Sequence, residues 1–390
     1  MNDKKQNNDD FHSINVEITP TSTDQSRISK KFLWITIGVV VTLIILSISI
    51  SLPIVMKKKA DVSQITTITT TTAAITTEEL SITSMSNNIY LKWKLNFSIV
   101  AGEGVYGGGV NHASDVEAIY VDDEEQTIYI VGSPYESDRV VGRKFGEKSG
   151  EIVAGGNGQG NNLDQLRDPS DVTVDKKNNL LIICDQGNNR VVQWSRQRRI
   201  DPEIIIPKIK CNGVTIDNDG DIYVSESQTD TVKQFKQGEA EGTIVAGGNG
   251  YGDNPNQLNN PTFIFVDKQY SIYVSDYRRG RVTKWIKNAK EGIIVTNESI
   301  SESGESRWPD SFGMAVDHFG NVYVSEYENK RIVRWSEKST EGYIVIDGGS
   351  FEKPPQLFDK PTAISLDRQG NLYIVDRHEY RILKFDVDVN

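Results

Sequence analysis

"YSIYVSDYRRGRVTKW", residues 270–285, runs from an apolar alternating stretch through an acid and a cationic turn into a second apolar stretch that ends on an aromatic. The same order returns in "NNLLIICDQGNNRVVQW" (178–194), "GDIYVSESQTDTVKQF" (220–235), "GNVYVSEYENKRIVRW" (320–335) and "GNLYIVDRHEYRILKF" (370–385). A degenerate sixth copy is "QTIYIVGSPYESDRVVGRKF" (126–145). Self-similarity with a spacing of about 40–50 residues marks a solenoid, propeller or array.

Each copy is preceded by a short apolar run ending in aspartate, at Asp175, Asp217, Asp267, Asp317 and Asp367. Six residues earlier stands Pro169, Cys211, Pro261, Ser311 or Pro361. Three residues later comes Gly220, Gly320 or Gly370, with Asn178 and Tyr270 at that place in two copies. Asp-x-x-Gly between apolar runs predicts a tight hairpin, with glycine supplying the positive φ. The Tyr270 turn departs from that pattern.

Downstream, an acid and an arginine stand five residues apart in Asp185–Arg190, Asp276–Arg281, Glu326–Arg331 and Asp376–Arg381, while Thr231 replaces the arginine after Glu226. This spacing predicts a structural pair across a turn. Arg281 is therefore part of the repeat, and only Arg278 and Arg279 are peculiar to their turn. A further apolar run follows most copies, at 151–156, 203–206, 243–248, 293–295 and 343–349. Four short strands per copy make one antiparallel propeller blade. The last copy lacks its fourth strand, and an unpartnered strand, "FSIVAGEG" at 97–104, precedes the first. The expected fold is all-β, a six-bladed propeller of four-stranded antiparallel blades over 93–388. The N-terminal strand completes the last blade and removes open sheet edges.

"PTAISLDRQGNLYIVDRHEYRILKF", residues 361–385, resembles the unit of the NHL-repeat family, in six copies in register over roughly 97–385. That resemblance implies a six-bladed propeller used as a binding platform. It also brings in the propeller lactonases, esterases and lyases, whose chemistry needs histidines or carboxylates gathered at the central channel.

The 390-residue chain has a net charge of −11, which argues against phosphate-rich partners such as nucleic acid. Phe32 to Met56 is an uncharged run of 25 residues with lysines on both sides. A run of about 20 apolar residues spans a bilayer, so one transmembrane α-helix is expected at 32–56, as a signal-anchor. Arg27, Lys30 and Lys31 balance Lys57, Lys58 and Lys59, so the flanking charges do not orient it. Residues 60–88 hold thirteen Ser or Thr in 29 positions, the composition of an unfolded stalk open to O-glycosylation. Sequons at Asn96 and Asn297 lie beyond it. These features predict a single-pass type II membrane glycoprotein with a polar cytoplasmic tail (1–31), a stalk (57–92) and an extracellular or lumenal propeller. Residues 60–390 then carry 35 cations and 49 anions, a net of −14.

Motifs of catalysis and cofactor binding read as architecture. "GEGVYG" at 102–107 matches G-x-G-x-x-G, but no helix or βαβ unit follows, and "GGNGQG" and "GGNGYG" fall at blade crossings. "DNDGD" at 217–221 has the carboxylate spacing of a calcium loop, yet Gly220 is fourth and Gln228 twelfth. His112, His318 and His378 occupy three different places in the repeat. No catalytic residue, metal site or cofactor is therefore assigned. Trp194, Trp285 and Trp335 recur at one position and are assigned to packing. Cys184 ends one strand and Cys211 begins the next blade, so a disulfide is expected; two buried thiols are the alternative.

The expected function is a non-catalytic protein or ligand binding platform. Its partner, an unknown protein or small ligand, would be read by the turns after the second strands, at Tyr277, Arg278, Arg279, Tyr327, Arg377, His378 and Tyr380. The rivals are a propeller hydrolase or lyase with a channel metal, and a cytosolic regulatory propeller. Relatives of the latter kind carry zinc modules that two cysteines cannot build.

Overall fold

The computed structural model describes residues 90–388, apart from 103, 105, 108, 110, 133–137, 198–200, 240, 297–312, 338, 340 and 350–355. The tail 1–31, the apolar run 32–56, the stalk up to residue 89 and the Asn297 sequon lie outside the described residues. No helix among the described residues is long and apolar enough to cross a membrane.

Six four-stranded antiparallel sheets are present. β2 (Val116–Asp122), β3 (Thr127–Gly132), β4 (Arg139–Lys144) and β5 (Glu151–Gly155) make the first blade. β6 (Pro169–Asp175), β7 (Leu180–Asp185), β8 (Arg190–Ser195) and β9 (Glu203–Pro207) make the second, and β10 (Cys211–Ile216), β11 (Ile222–Glu226), β12 (Thr231–Phe235) and β13 (Thr243–Gly247) the third. The fourth holds β14 (Pro261–Val266), β15 (Ile272–Asp276), β16 (Arg281–Trp285) and a two-residue β17 (Ile293–Ile294). The fifth holds β18 (Met314–Val316), β19 (Val322–Glu326), β20 (Arg331–Trp335) and β21 (Tyr343–Asp347). β22 (Pro361–Leu366), β23 (Leu372–Asp376) and β24 (Arg381–Val387) are completed by β1 (Trp93–Ala101), in the order β1-β24-β23-β22.

The closure is therefore the expected one. Phe97 faces Phe385, Ile99 faces Leu383 and Ala101 faces Ile382 across the β1–β24 pair. The seam is bolted at its start: the Trp93 indole N–H donates to the Gly370 carbonyl at 2.8 Å, and its ring meets Tyr323 edge-on at 5.2 Å.

Apolar alternation along the strands produces one buried cluster in each gap between blades. Tyr223, Val232, Leu258, Ile264, Val274 and Trp285 fill the gap between the third and fourth. Trp194 and Trp335 sit in equivalent clusters, so the recurring tryptophans are packing residues. The repeated tyrosine of "IYVS" joins two elements. Tyr223, Tyr323 and Tyr373 are buried, and each hydroxyl donates to the aspartate of its own hairpin, Asp217, Asp317 or Asp367, at 3.0 to 3.2 Å.

Gly220, Gly320 and Gly370 take positive φ, as the hairpins require. Tyr270 takes the same left-handed conformation (φ 62°), held by its hydroxyl on Asp219 at 2.8 Å. In the second blade the left-handed residue is Asn179 and not Asn178. There the aspartate is four residues from the left-handed position, because β6 and β7 pair one step further toward the turn.

The acid–arginine pairs form at 2.6 Å (Asp185–Arg190), 2.8 Å (Asp276–Arg281), 2.5 Å (Glu326–Arg331) and 2.9 Å (Asp376–Arg381). They do more than bridge a turn. Arg190 donates to the carbonyls of Asn161, Asn162 and Gln165, and Arg281 to those of Asp253 and Gln257, all in the preceding blade crossing. The acids accept from the crossing's backbone N–H groups, Arg167 to Asp185 and Asn259 to Asp276. Where Thr231 replaces arginine, Lys233 pairs with Glu226 at 2.6 Å. Cys184 and Cys211 form a disulfide from β7 to β10, Cα to Cα 5.4 Å, fully buried between the second and third blades.

Candidate binding site: the two mouths of the central channel

The innermost strand of each blade lines the channel, and its hairpin aspartate is a natural ruler. The strands start at one mouth, here called upper, and end at the hairpins of the lower mouth.

Five residues before the aspartate stand Glu117, Ser170, Asn212, Thr262 and Thr362, in five blades. All five line a cup of about 220 Å³ at the upper mouth, together with Asn260 and with Gln186, Tyr277 and Arg377 from the turns after the second strands. Local hydrogen bonds fix the cup's amides. Gln186 and Ser227 both donate to the Asn212 side-chain oxygen, at 2.7 and 3.2 Å, and the Asn212 amide donates to the Pro261 carbonyl at 3.2 Å. Arg377 lies 3.8 Å from Glu117. Burial raises the Glu117 carboxyl above its ordinary range, while Arg377 pulls it down. The cup thus offers amide donors and acceptors, hydroxyls, a phenol and one loose carboxylate–guanidinium pair.

Phe263 belongs to both mouths and stands between them. It packs against the clusters of three different gaps. Four residues before the aspartate, its equivalents are Ala118, Asp171, Gly213, Gly313 and Ala363, nearly all small. At Gly313 any Cβ would lie 2.4 Å from the Thr362 carbonyl oxygen, so only glycine fits that close approach of strands. Asp171 is the polar exception. It is buried, and its two oxygens accept from the backbone N–H groups of Val172 and Val214, both at 2.9 Å. Burial pushes its carboxyl up to about 7.

Below Phe263 the channel opens into a cavity of about 750 Å³. Three layers follow one another toward the mouth. Three residues before the aspartate the ring is wholly apolar: Ile119, Val172, Val214, Ile264, Met314 and Ile364. Two before, it is Tyr120, Thr173, Thr215, Phe265, Ala315 and Ser365. One after, Asp123, Lys176, Lys268, His318 and Arg368 form a charged collar. Leu91, on the segment leading into β1, also lines the cavity.

The loop residues proposed from sequence divide. Tyr277 and Arg377 reach the upper cup. Arg278 is exposed, and Arg279 pairs with Asp253 at 2.9 Å. The Tyr327 ring lies under Lys360 at 4.4 Å, His378 hydrogen-bonds Asp359 at 2.7 Å, and Tyr380 packs on Tyr106 at 5.3 Å. These five are on the same face but away from the cup lining. Glu117, Gln186, Asn212, Asn260 and Phe263 were not singled out, although three of them are readable: Glu117 and Asn212 sit five residues before the hairpin aspartates Asp122 and Asp217, and Gln186 follows the turn acid as Tyr277 and Arg377 do. His318 is at the lower mouth and His378 at the upper face, while His112 accepts from the Gly109 N–H at 3.2 Å. Among the described residues no group of three or more His, Cys, Asp or Glu is placed to hold a metal ion. Asn96 is exposed on β1, the outermost strand of its blade.

Residues 166–194 match the NHL repeat, and the chain carries it within a six-bladed propeller. No curated protein matches the sequence. Among solved structures, the chain is similar to a protein of unknown function from Bacteroides thetaiotaomicron, at 17% identity and TM-score 0.56, over 75% of this chain and 76% of that one. It is similar to an auxiliary nutrient binding protein of the same organism, at 14% and 0.55, over 75% and 76%. A gluconolactonase from Xanthomonas campestris aligns at 11% and 0.51, over 78% and 99%. Identities this low establish a shared fold alone.

Proposed function

We propose that this protein is a membrane-anchored, extracellular binding platform whose upper cup holds a small hydroxyl- or amide-rich ligand of about sugar-ring size, without catalysis. The observation that carries this reading is the convergence on one mouth of side chains that differ from blade to blade, on strands that otherwise repeat. Glu117, Asn212, Tyr277 and Arg377 are the discriminating members. Drug-sized ligands occupy pockets of about 300–1,000 Å³, and the cup's 220 Å³ is smaller. Its donors and acceptors are held by second partners, as at Asn212, so they are oriented before a ligand arrives. The fold's occurrence in nutrient-binding proteins is compatible with this role. The disulfide supports an oxidising compartment, because such bonds are rare in the cytosol.

The test is saturation-transfer NMR of the full-length protein in nanodiscs against monosaccharides and free polar amino acids. A hit is expected to vanish in Arg377→Ala and in Asn212→Ala. A silent panel, or hits indifferent to both substitutions, overturns the reading. Stoichiometric calcium or zinc in the purified protein turns it toward a metal-assisted hydrolase or lyase.

A further inference from the structure

We propose that the lower half of the channel is a second binding site, independent of the upper cup, for an apolar small molecule that carries one carboxylate. Its volume, about 750 Å³, lies within the range of small-molecule pockets. Its layers set the orientation of the guest. The aliphatic ring deepest in the cavity offers no hydrogen-bonding side chain, so it takes the hydrocarbon body. The middle ring supplies hydroxyls, and the collar supplies charge.

The sign of that charge follows from which groups are already committed. Asp317 accepts from Phe319 N–H, Asn321 N–H, the Asn321 amide and the Tyr323 hydroxyl. Asp367 accepts from Asn371 twice and from Tyr373. Asp123 accepts from the Arg368 N–H at 2.7 Å through Oδ2, while its buried Oδ1 has no hydrogen-bond partner. Among the cations, Lys176 pairs with Asp122 and Glu124, and Arg368 pairs with Glu124. Lys268 and His318, on adjacent blades, have no ion pair among the described residues. A carboxylate at the mouth therefore meets two donors without an ion pair, whereas an ammonium meets one unpartnered acceptor, the buried Asp123 Oδ1, on a carboxylate that already has the Arg368 guanidinium 4.0 Å away. Asp171, in the wall, has each of its oxygens on a backbone N–H group.

The experiment is calorimetric titration of the full-length protein in nanodiscs with 2-naphthoate, 2-naphthylmethanol and 2-naphthylmethylamine. One equivalent of naphthoate is expected to bind, more weakly as salt rises. Lys268→Glu is expected to weaken naphthoate about tenfold and to leave the alcohol nearly unchanged. Ala315→Trp and Ser365→Phe fill the middle ring from different blades. Each is expected to abolish binding, and whichever keeps the wild-type unfolding midpoint is decisive. Arg377→Ala, which tests the upper cup, is expected to leave naphthoate binding intact. Failure of naphthoate to bind, binding that survives both filling variants, or equal affinity for the amine overturns the proposal.

Discussion

At the scale of single residues, Asp171 is a buried carboxyl held by backbone N–H groups alone. A carboxyl in an unfolded chain titrates near 3.9, whereas burial holds this one at about 7 with no cation beside it. Between those values the folded protein keeps a proton that the unfolded chain has released, so stability falls as pH rises through the window and levels off above it. Asp276 and Asp376 act in the same sense: burial raises both to about 6 against the pull of their backbone and arginine partners. The melting temperature is expected to rise on going from pH 8 to pH 5. Asp171→Asn should remove up to about 3 kcal/mol of that change, since about two pH units of the window lie above pH 5. Thermal scans of both proteins at matched ionic strength check it, and identical slopes refute the assignment. The "YRRGR" turn yields a sharper contrast. Arg281→Ala strands Asp276 without its counter-charge and frees the carbonyls of Asp253 and Gln257, at an expected cost of about 3–5 kcal/mol. Arg278→Ala, on the exposed neighbour, is expected to stay within about 0.5 kcal/mol. Urea midpoints of the two variants separate a structural arginine from a surface one.

At the scale of elements, the ring depends on a strand contributed from the far end of the sequence. Among the described residues β1 pairs with β24 and with no other strand, and Trp93 is its most buried anchor besides Ala101. Trp93→Ala empties the contact with Tyr323 and leaves the Gly370 carbonyl without its donor, at an expected cost of about 3–5 kcal/mol. Limited proteolysis should then cut first within 93–101, and a variant as protease-resistant as the wild type would show that the latch is not the weak seam. The strands, the closure and the hairpins were legible because period-two apolarity and the hairpin aspartate are local signals that recur from copy to copy, with a glycine completing the turn in three of them. Tyr270 shows the limit of such signals. A bulky residue stands at positive φ because a distant acid, Asp219, holds its hydroxyl and Lys287 lies 3.9 Å over its ring. Only two of the seven loop-face candidates line the cup, for a similar reason. The residue that follows the turn acid points to the channel at Tyr277 and Arg377. Beyond it, a 3-10 turn at Tyr277–Arg279 carries the next side chains outward, where Arg279 finds Asp253. Phe263 could not have been recognised as a partition from its own blade, since its meaning comes from small residues at the same height in the others.

At the scale of the whole molecule, six gap clusters share the core, and most gaps are also spanned by polar ties. Ser225 donates to the Thr262 carbonyl from the third blade to the fourth, and Ser325 to the Thr362 carbonyl from the fifth to the sixth. Between the second and third the tie is covalent. A bridge closing a loop with a sequence separation of 27 is worth about 3–4 kcal/mol if its effect is chiefly on the unfolded chain. That bond can persist only where the compartment allows it, which makes compartment a physical property of this chain. If the propeller is outside the cell, three observations must coincide in eukaryotic cells making the full-length protein. Denatured without reductant, Cys184 and Cys211 should resist alkylation. The mass should fall on endoglycosidase treatment, and Asn96→Gln together with Asn297→Gln should abolish that fall. The double Cys184→Ala, Cys211→Ala variant should unfold at a lower denaturant midpoint by the amount above. Freely alkylated thiols on a chain without glycan would place the propeller in the cytosol. The disulfide would then have no part in its stability, and the upper cup would face partners of a different kind.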